Sequence, residues 1–287
     1  MVETKPVDPQ EDQEIITIQP SIMKQSLIHR KVLITGASSG IGAATSLYLA
    51  TKQLHVILVA RRLDRLESLR DQIVTAGGIA SIIQCDLSNE TYRLNLYESL
   101  CADDLLPDIL INNAGLAWYG YFHSMSWKIA LDIIRINNEA AVHITSLLLP
   151  HMIDQGYGHV INVGSIAGKL PEQGIAVYSA SKAFLDAFTT SLHRELKGTG
   201  VHASVLRAGP VKTEFFDTAR ELENGGSVPA EQFAIPAEVV SKAVWKLMQH
   251  PARVRYVPFY LFLSPLLEVF FSSIIDLIGP VLLKRKK

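Results

Sequence analysis

A phenol and an ammonium stand four residues apart in Tyr178-Ser179-Ala180-Ser181-Lys182, and a hydroxyl, Ser165, precedes the phenol by thirteen residues in Val163-Gly164-Ser165-Ile166-Ala167-Gly168. On a helix, positions i and i+4 share a face, so Tyr178 and Lys182 can point into one pocket. A phenol with a reference pKa of about 10 is a poor acid or base near neutrality. A cation beside it favours the phenolate and draws that value toward working pH. Taken alone, a Tyr/Lys pair at this spacing is usually a solvated pair on a helix surface. What lifts it above that reading is the serine upstream and, earlier still, the glycine-rich turn Thr35-Gly36-Ala37-Ser38-Ser39-Gly40-Ile41-Gly42.

These residues need a scaffold to bring them together. Short apolar runs alternate with longer helical patterns, which predicts a parallel sheet covered on both faces. Strands are predicted over 31–35, 54–60, 79–85, 109–112, 159–163, 201–206 and 253–257, several of them almost continuously apolar, as strands buried on both sides should be. Helices are predicted over 42–52, 63–76, 127–154, 177–198 and 236–249. There is no internal repeat. Two regions lie outside the rhythm: 214–235, a polar stretch with Gly225-Gly226, and the apolar tail from Phe259.

The turn Gly36-x-x-x-Gly40-x-Gly42 follows a strand and opens a helix, the context that a dinucleotide fingerprint requires. Missing side chains let backbone approach a pyrophosphate, and the helix N-terminus supplies N–H donors and a favourable dipole. NAD is usually held by an acid at the end of the second strand. Here Val59-Ala60-Arg61-Arg62 stands there, with no acid before Asp64. Arg61 and Arg62 suit a 2′-phosphate, which they would grip by charge-assisted hydrogen bonds. The expected cofactor is therefore NADP(H).

Composition narrows the field. A chain of 287 residues fits one α/β domain with short extensions. A net charge of −1 offers nothing to nucleic acid, which is excluded as a partner. Two cysteines, Cys85 and Cys101, make no disulfide framework, and the histidines form no metal-ligand spacing. The acidic, proline-bearing start lacks the basic and apolar regions of a signal peptide and reads as a disordered tail. The expected organisation is that tail at 1–28, a catalytic domain at 29–258 and an apolar helical extension with a basic end at 259–287.

From about Lys31 to about Pro258 the chain resembles the classical short-chain dehydrogenase/reductase family. The motifs carrying the resemblance recur in the family's order: the turn from Thr35 to Gly42, Cys85-Asp86-Leu87, Asn112-Asn113-Ala114-Gly115, Asn137, Ser165, Tyr178/Lys182 and Gly209-Pro210-Val211-Lys212-Thr213. The resemblance implies a Rossmann-type doubly wound parallel sheet of about seven strands and nicotinamide-dependent interconversion of a carbonyl and an alcohol. By the same resemblance, Tyr178 exchanges a proton with the substrate oxygen, Lys182 lowers the Tyr178 pKa and binds the nicotinamide ribose, and Ser165 holds the substrate oxygen. Asn137, or its neighbour Asn138, anchors a water that relays protons to Lys182. Thr35, Gly36, Ser38, Ser39, Gly40, Ile41 and Gly42 would cradle the pyrophosphate, with Asp86 and Leu87 at the adenine. Asn113, Ala114 and Gly115 would shape the adenosine groove, while Gly209, Val211 and Thr213 meet the carboxamide. Asn112 is expected to stabilise its strand. Ala208 stands where the family often has proline.

The substrate is less legible. Leu116-Ala117-Trp118-Tyr119-Gly120-Tyr121-Phe122 is either substrate wall or packing, and 214–235 lies where the family has a mobile lid. Both favour a small apolar carbonyl or alcohol as partner. The tail reads as two short amphipathic helices broken near Pro265, lining the substrate entrance, making an oligomer contact or lying on a membrane. The expectations are a homo-oligomer, dimer or tetramer, and a cytoplasmic placement with peripheral membrane association through 259–287 left open. Competing functions are a 3-oxoacyl reductase with the same four residues and a non-catalytic nucleotide sensor on the same fold.

Overall fold

The computed structural model describes residues 27–282, so most of the expected acidic tail and the basic cluster Lys284-Arg285-Lys286-Lys287 lie outside the described residues. Seven parallel strands form one sheet: β1 (Lys31–Thr35), β2 (His55–Ala60), β3 (Ile79–Gln84), β4 (Ile109–Asn112), β5 (Gly158–Ser165), β6 (Val201–Ala208) and β7 (Val254–Val257). Their order across the sheet is β3-β2-β1-β4-β5-β6-β7. The chain winds outward from β1 in one direction, then restarts beside it at β4, so a crevice opens where the winding reverses.

The strand pleat explains why both faces are apolar. In β1, Val32 and Ile34 enter one core while Leu33 enters the other, and β2 divides Val56 and Leu58 from Ile57 and Val59 in the same way. The first core is closed by α1 (Gly40–Ala50), α2 (Leu63–Thr75) and α8 (Ala237–Gln249) through Leu49, Leu66 and Leu247. The second is closed by α3 (Glu90–Ala102), α5 (Ala140–Asp154) and α6 (Ala176–Glu195) through Leu96, Leu148 and Leu192. The doubly wound architecture is as expected.

Several elements depart from the sequence expectation. No helix was expected where α3 stands, because its inward stripe of Arg93, Leu96 and Leu100 begins with an arginine. Arg93 is nevertheless almost fully buried, donating to the Leu87 carbonyl at 2.6 Å and to His143 Nδ1 at 3.0 Å and pairing with Glu139. The helix expected over 127–154 is continuous, but it is built as α4 (Trp127–Ile134), a π-helical segment (Arg135–Glu139) and α5. The polar stretch 214–235 contains α7 (Phe215–Glu221) and a 3₁₀ turn (Pro229–Phe233). In the tail a 3₁₀ turn (Phe259–Leu263) leads into α9 (Ser264–Leu282), and the break falls at Phe271, not near Pro265. Proline is tolerated in a helix's first turn, where its missing N–H would have had no partner, so Pro265 begins this helix instead of breaking it.

Candidate active site

The turn between β1 and α1 depends on what its glycines lack. Gly36 has φ +67°, and a Cβ on Gly42 would stand 2.2 Å from the Gly36 carbonyl oxygen. Only glycine lets the helix start fold back this tightly. Thr35 and Gly42 do not themselves line the cavity; they hold the turn from behind. Thr35 Oγ1 accepts from the amides of Asn113 and Ala114, both at 3.0 Å, and Asn113 Nδ2 donates to the Thr35 carbonyl at 2.9 Å. The expectation for Asn113 is thus refined: its side chain ties the turn to the end of β4. Asn112 is structural, donating to Asn162 Oδ1 at 2.8 Å and Thr145 Oγ1 at 3.1 Å inside the sheet.

Ser39 occupies the N-cap of α1 without a side-chain capping bond. Its hydroxyl instead accepts from Arg62 at 2.8 Å, and Ser38 accepts from the same guanidinium at 3.0 and 3.2 Å. Arg62 also donates to Glu214 at 3.1 Å, and the second oxygen of that carboxylate pairs with Arg65. These two arginines hold the Glu214 carboxyl below the usual carboxylate range, the hydrogen bond from Arg65 contributing most. Arg61 is exposed and lines the same end of the cavity, beside Asp86 and Leu87. Together with the positive N-terminus of α1, the arginines gather positive charge at this end of the cavity.

At the other end, β5 delivers Ser165 and the first turn of α6 delivers Tyr178. A 3₁₀ turn (Ile166–Gly168) joins them closely, because a Cβ on Gly168 would come within 2.7 Å of the Lys182 backbone. The Tyr178 phenol hydrogen-bonds Ser165, which lowers its pKa, but burial outweighs this and pushes it up to about 12. Burial likewise brings the Lys182 ammonium down to about 8. Lys182 Nζ donates to the Val163 carbonyl at 2.9 Å and lies 5.7 Å from the centre of the Tyr178 ring.

Asn137 sits in the π-helical segment, buried. Its Oδ1 accepts from the Leu116 amide at 2.8 Å, and its Nδ2 donates to the Leu116 carbonyl at 3.0 Å and to Ser181 Oγ at 2.9 Å. A Cβ built on Gly115 would lie 3.5 Å from Asn137 Oδ1 and 3.6 Å from Lys182 Nζ, so both groups border one small space over Gly115. Asn138 turns away and donates to the Ser181 carbonyl at 2.7 Å.

Ser38, Ser39, Gly40, Arg61, Arg62, Asp86, Asn113, Gly115, Ser165, Tyr178 and Lys182 border one cavity of about 500 Å³, whereas Asn137 and Asn138 lie behind its wall. Beyond Ser165 and Tyr178 its wall is Leu116, Ala117, Trp118, Tyr119, Ile166, Leu170 and Ile175, roofed by Phe215, Phe216, Val228 and Ala230. Half of the aromatic stretch is wall and half is not: Tyr121 and Phe122 do not line the cavity, and Phe122 is exposed. Trp118 is buried with its indole N–H donating to the Glu223 carbonyl at 2.9 Å, which braces wall to roof. The sequence reading did not single out Phe215 or Phe216; two adjacent aromatics directly after Glu214 were the available signal. Glu172, also missed, lines the wall, and burial raises its carboxyl. Among the described residues, none of the tail lines this cavity.

Comparison with known proteins agrees with the geometry. A family model described as short chain dehydrogenase matches residues 30–224. The NADP-dependent 3-hydroxy acid dehydrogenase YdfG of Escherichia coli (strain K12) is 36% identical over 227 residues, covering 78% of this chain and 90% of its own. The ketoacyl reductase HetN of Nostoc sp. is 39% identical over 226 residues, covering 78% and 77%. Among solved structures, a short-chain dehydrogenase from Sphingobium yanoikuyae in complex with NADPH superposes with a TM-score of 0.74 at 26% identity, over 89% of this chain and 96% of the other.

Proposed function

The chain belongs to the short-chain dehydrogenase/reductase family and is an oxidoreductase, and from that premise we propose that it reduces an apolar ketone, or oxidises the matching secondary alcohol, with NADP(H). The observation that carries this reading is the single cavity with phosphate-seeking arginines at one end, the Ser165–Tyr178 hydroxyl pair at its middle and an apolar wall beyond. NADP(H) suits the residues present. The glycine turn packs so tightly on Ala114, Thr213 and its own backbone that a Cβ at Gly36, Gly40 or Gly42 would not fit, which keeps the N-terminus of α1 close enough to receive a pyrophosphate, and Arg61 and Arg62 offer donors to a 2′-phosphate.

When bound, the cofactor supplies or takes the hydride. The chain's own groups manage the oxygen and the proton. Ser165 hydrogen-bonds the substrate oxygen, and Tyr178 gives it a proton in reduction or takes one in oxidation. Both hydroxyls stabilise the charge that develops on that oxygen. Lys182, close to the phenol, helps set its protonation and reaches the ribose side of the groove. Asn137 Oδ1 and Lys182 border the space over Gly115, where a water can pass the proton onward. Gly209, Val211 and Thr213 hold the carboxamide side.

A second reading follows from the ketoacyl reductase among the relatives: a 3-oxoacyl thioester in the same wall. One experiment separates the two and tests the reaction class. NADPH oxidation is followed with simple ketones, bulky apolar ketones and 3-oxoacyl thioesters. Turnover of bulky ketones above the others supports the first reading, and preference for thioesters supports the second. No turnover of any carbonyl with NADPH would defeat both.

A further inference from the structure

We propose that the tail from Phe259 is a lipid-surface anchor, with α9 lying in the plane of a leaflet and its apolar arc among the acyl chains. The segment Phe259–Leu277 is long and apolar enough to cross a membrane by length and composition, yet the rest of the protein covers almost none of it. Eleven large apolar side chains between these residues are exposed, among them Phe259 at 76%, Phe270 at 71% and Leu277 at 77%. Contiguous apolar surface on this scale marks a site of interaction.

The distribution around α9 selects lipid. At about 100° per residue within each run, Leu266, Leu267, Val269 and Phe270 before the break at Phe271 spread over an arc of roughly 160°, and Ile274 and Leu277 lie within roughly 60° of each other after it. Glu268 faces away from the apolar residues of the first run, and Ser272 and Asp276 face away from those of the second. A seam with a second copy needs only a narrow a/d stripe. A bilayer span would carry both acids into hydrocarbon. A wide apolar arc with one wet stripe is the pattern of an interfacial helix. The non-helical break at Phe271 gives two straight runs, each able to lie flat. Four cations, Lys284-Arg285-Lys286-Lys287, follow in the sequence, where anionic headgroups attract them.

The anchor is rooted beside the cavity. Leu261, in the 3₁₀ turn, packs so closely on Gly209 that a Cβ there would meet its Cδ1 at 2.7 Å, and Gly209 lines the cavity. The inference stands on the tail's surface and not on the reaction proposed above, so failure of one leaves the other intact.

The test is flotation of the full chain with vesicles of phosphatidylcholine alone, or with a quarter phosphatidylglycerol. The protein is expected to float with both and more strongly with the anionic mixture. The double variant Phe270→Asp/Ile274→Asp should lose roughly tenfold in bound fraction while keeping its melting temperature and NADPH affinity. Lys284→Gln/Lys286→Gln should remove only the gain from phosphatidylglycerol. Protein that stays unbound with both vesicles overturns the proposal. So does a soluble dimer, seen by light scattering, that Phe270→Asp splits into monomers, because the face then belongs to a second copy. Resistance of vesicle-bound protein to alkaline carbonate would show a span and overturn the surface-lying placement.

Discussion

Glu214 holds Arg62 with one carboxylate oxygen and Arg65 with the other, so the roof of the cavity is clasped to the start of α2 across the phosphate end of the groove. Arg62 therefore has two claims on it, Glu214 and any 2′-phosphate. Arg62→Ala should weaken NADPH by about ten- to a hundredfold, the loss of a charge-assisted hydrogen bond of about 1.5–3 kcal/mol, and leave NADH nearly unchanged. Glu214→Gln should tighten NADPH, since it withdraws the competing charge. Fluorescence titration of both cofactors measures this, and equal affinity of the unaltered protein for NADH and NADPH would sink it.

Tyr178→Phe removes one hydroxyl and no volume. Turnover should fall by about a hundredfold to ten-thousandfold, the range for a lost general acid, with NADPH affinity changed only a few-fold. Steady-state rates and a binding titration on the same preparation separate these effects. Retention of half the turnover would reassign the proton donor.

Lys182 makes stability depend on pH in an unusual direction. Burial brings its pKa down to about 8, against about 10.4 for an unfolded lysine. Between these values the unfolded chain holds a proton that the folded chain lacks, so this group's contribution to stability rises with pH across the window. Below about pH 8 the folded protein carries the full cost of a buried ammonium. Lys182→Met should therefore melt higher relative to the unaltered protein at pH 7, with the gap shrinking toward pH 10. A gap that stays constant from pH 7 to pH 10 would show that the ammonium is not the cause.

Asp186 on α6 accepts two hydrogen bonds from Arg207 on β6, at 2.8 and 2.6 Å, and pairs with Lys169 at 2.7 Å. Breaking a buried pair from one side costs about 3–5 kcal/mol. Asp186→Ala should lower the unfolding free energy measured by urea titration by that much, and the apolar double variant Asp186→Leu/Arg207→Met should recover a large part. A loss under about 1 kcal/mol would mean that the pair is solvated.

What could be read before the structure was whatever follows from short-range chemistry. The glycine turn, the arginines after β2 and the Tyr178/Lys182 spacing are local patterns, and the fold brings them together around one cavity. The strands were legible because burial on both faces makes apolar runs. What escaped depended on distant partners. α3 was hidden because Arg93 finds its partners on residues such as His143 and Glu139, far along the chain, and so can sit in an apolar stripe. The roof aromatics Phe215 and Phe216 gain meaning only when α7 crosses the groove. The helix break at Phe271 carries no proline or glycine signal at all.

The all-parallel sheet also says how the chain must find its shape. No strand can pair with its sequence neighbour through a tight hairpin; Val32 at the centre pairs with Val56 on one side and Ile109 on the other. Each pairing waits for an intervening helix and a large loop closure, so native contacts are predominantly non-local. Such topologies fold slowly and leave strand edges open meanwhile. Refolding from denaturant should therefore be slow and its yield should fall steeply with protein concentration, with an exposed apolar tail adding to the loss.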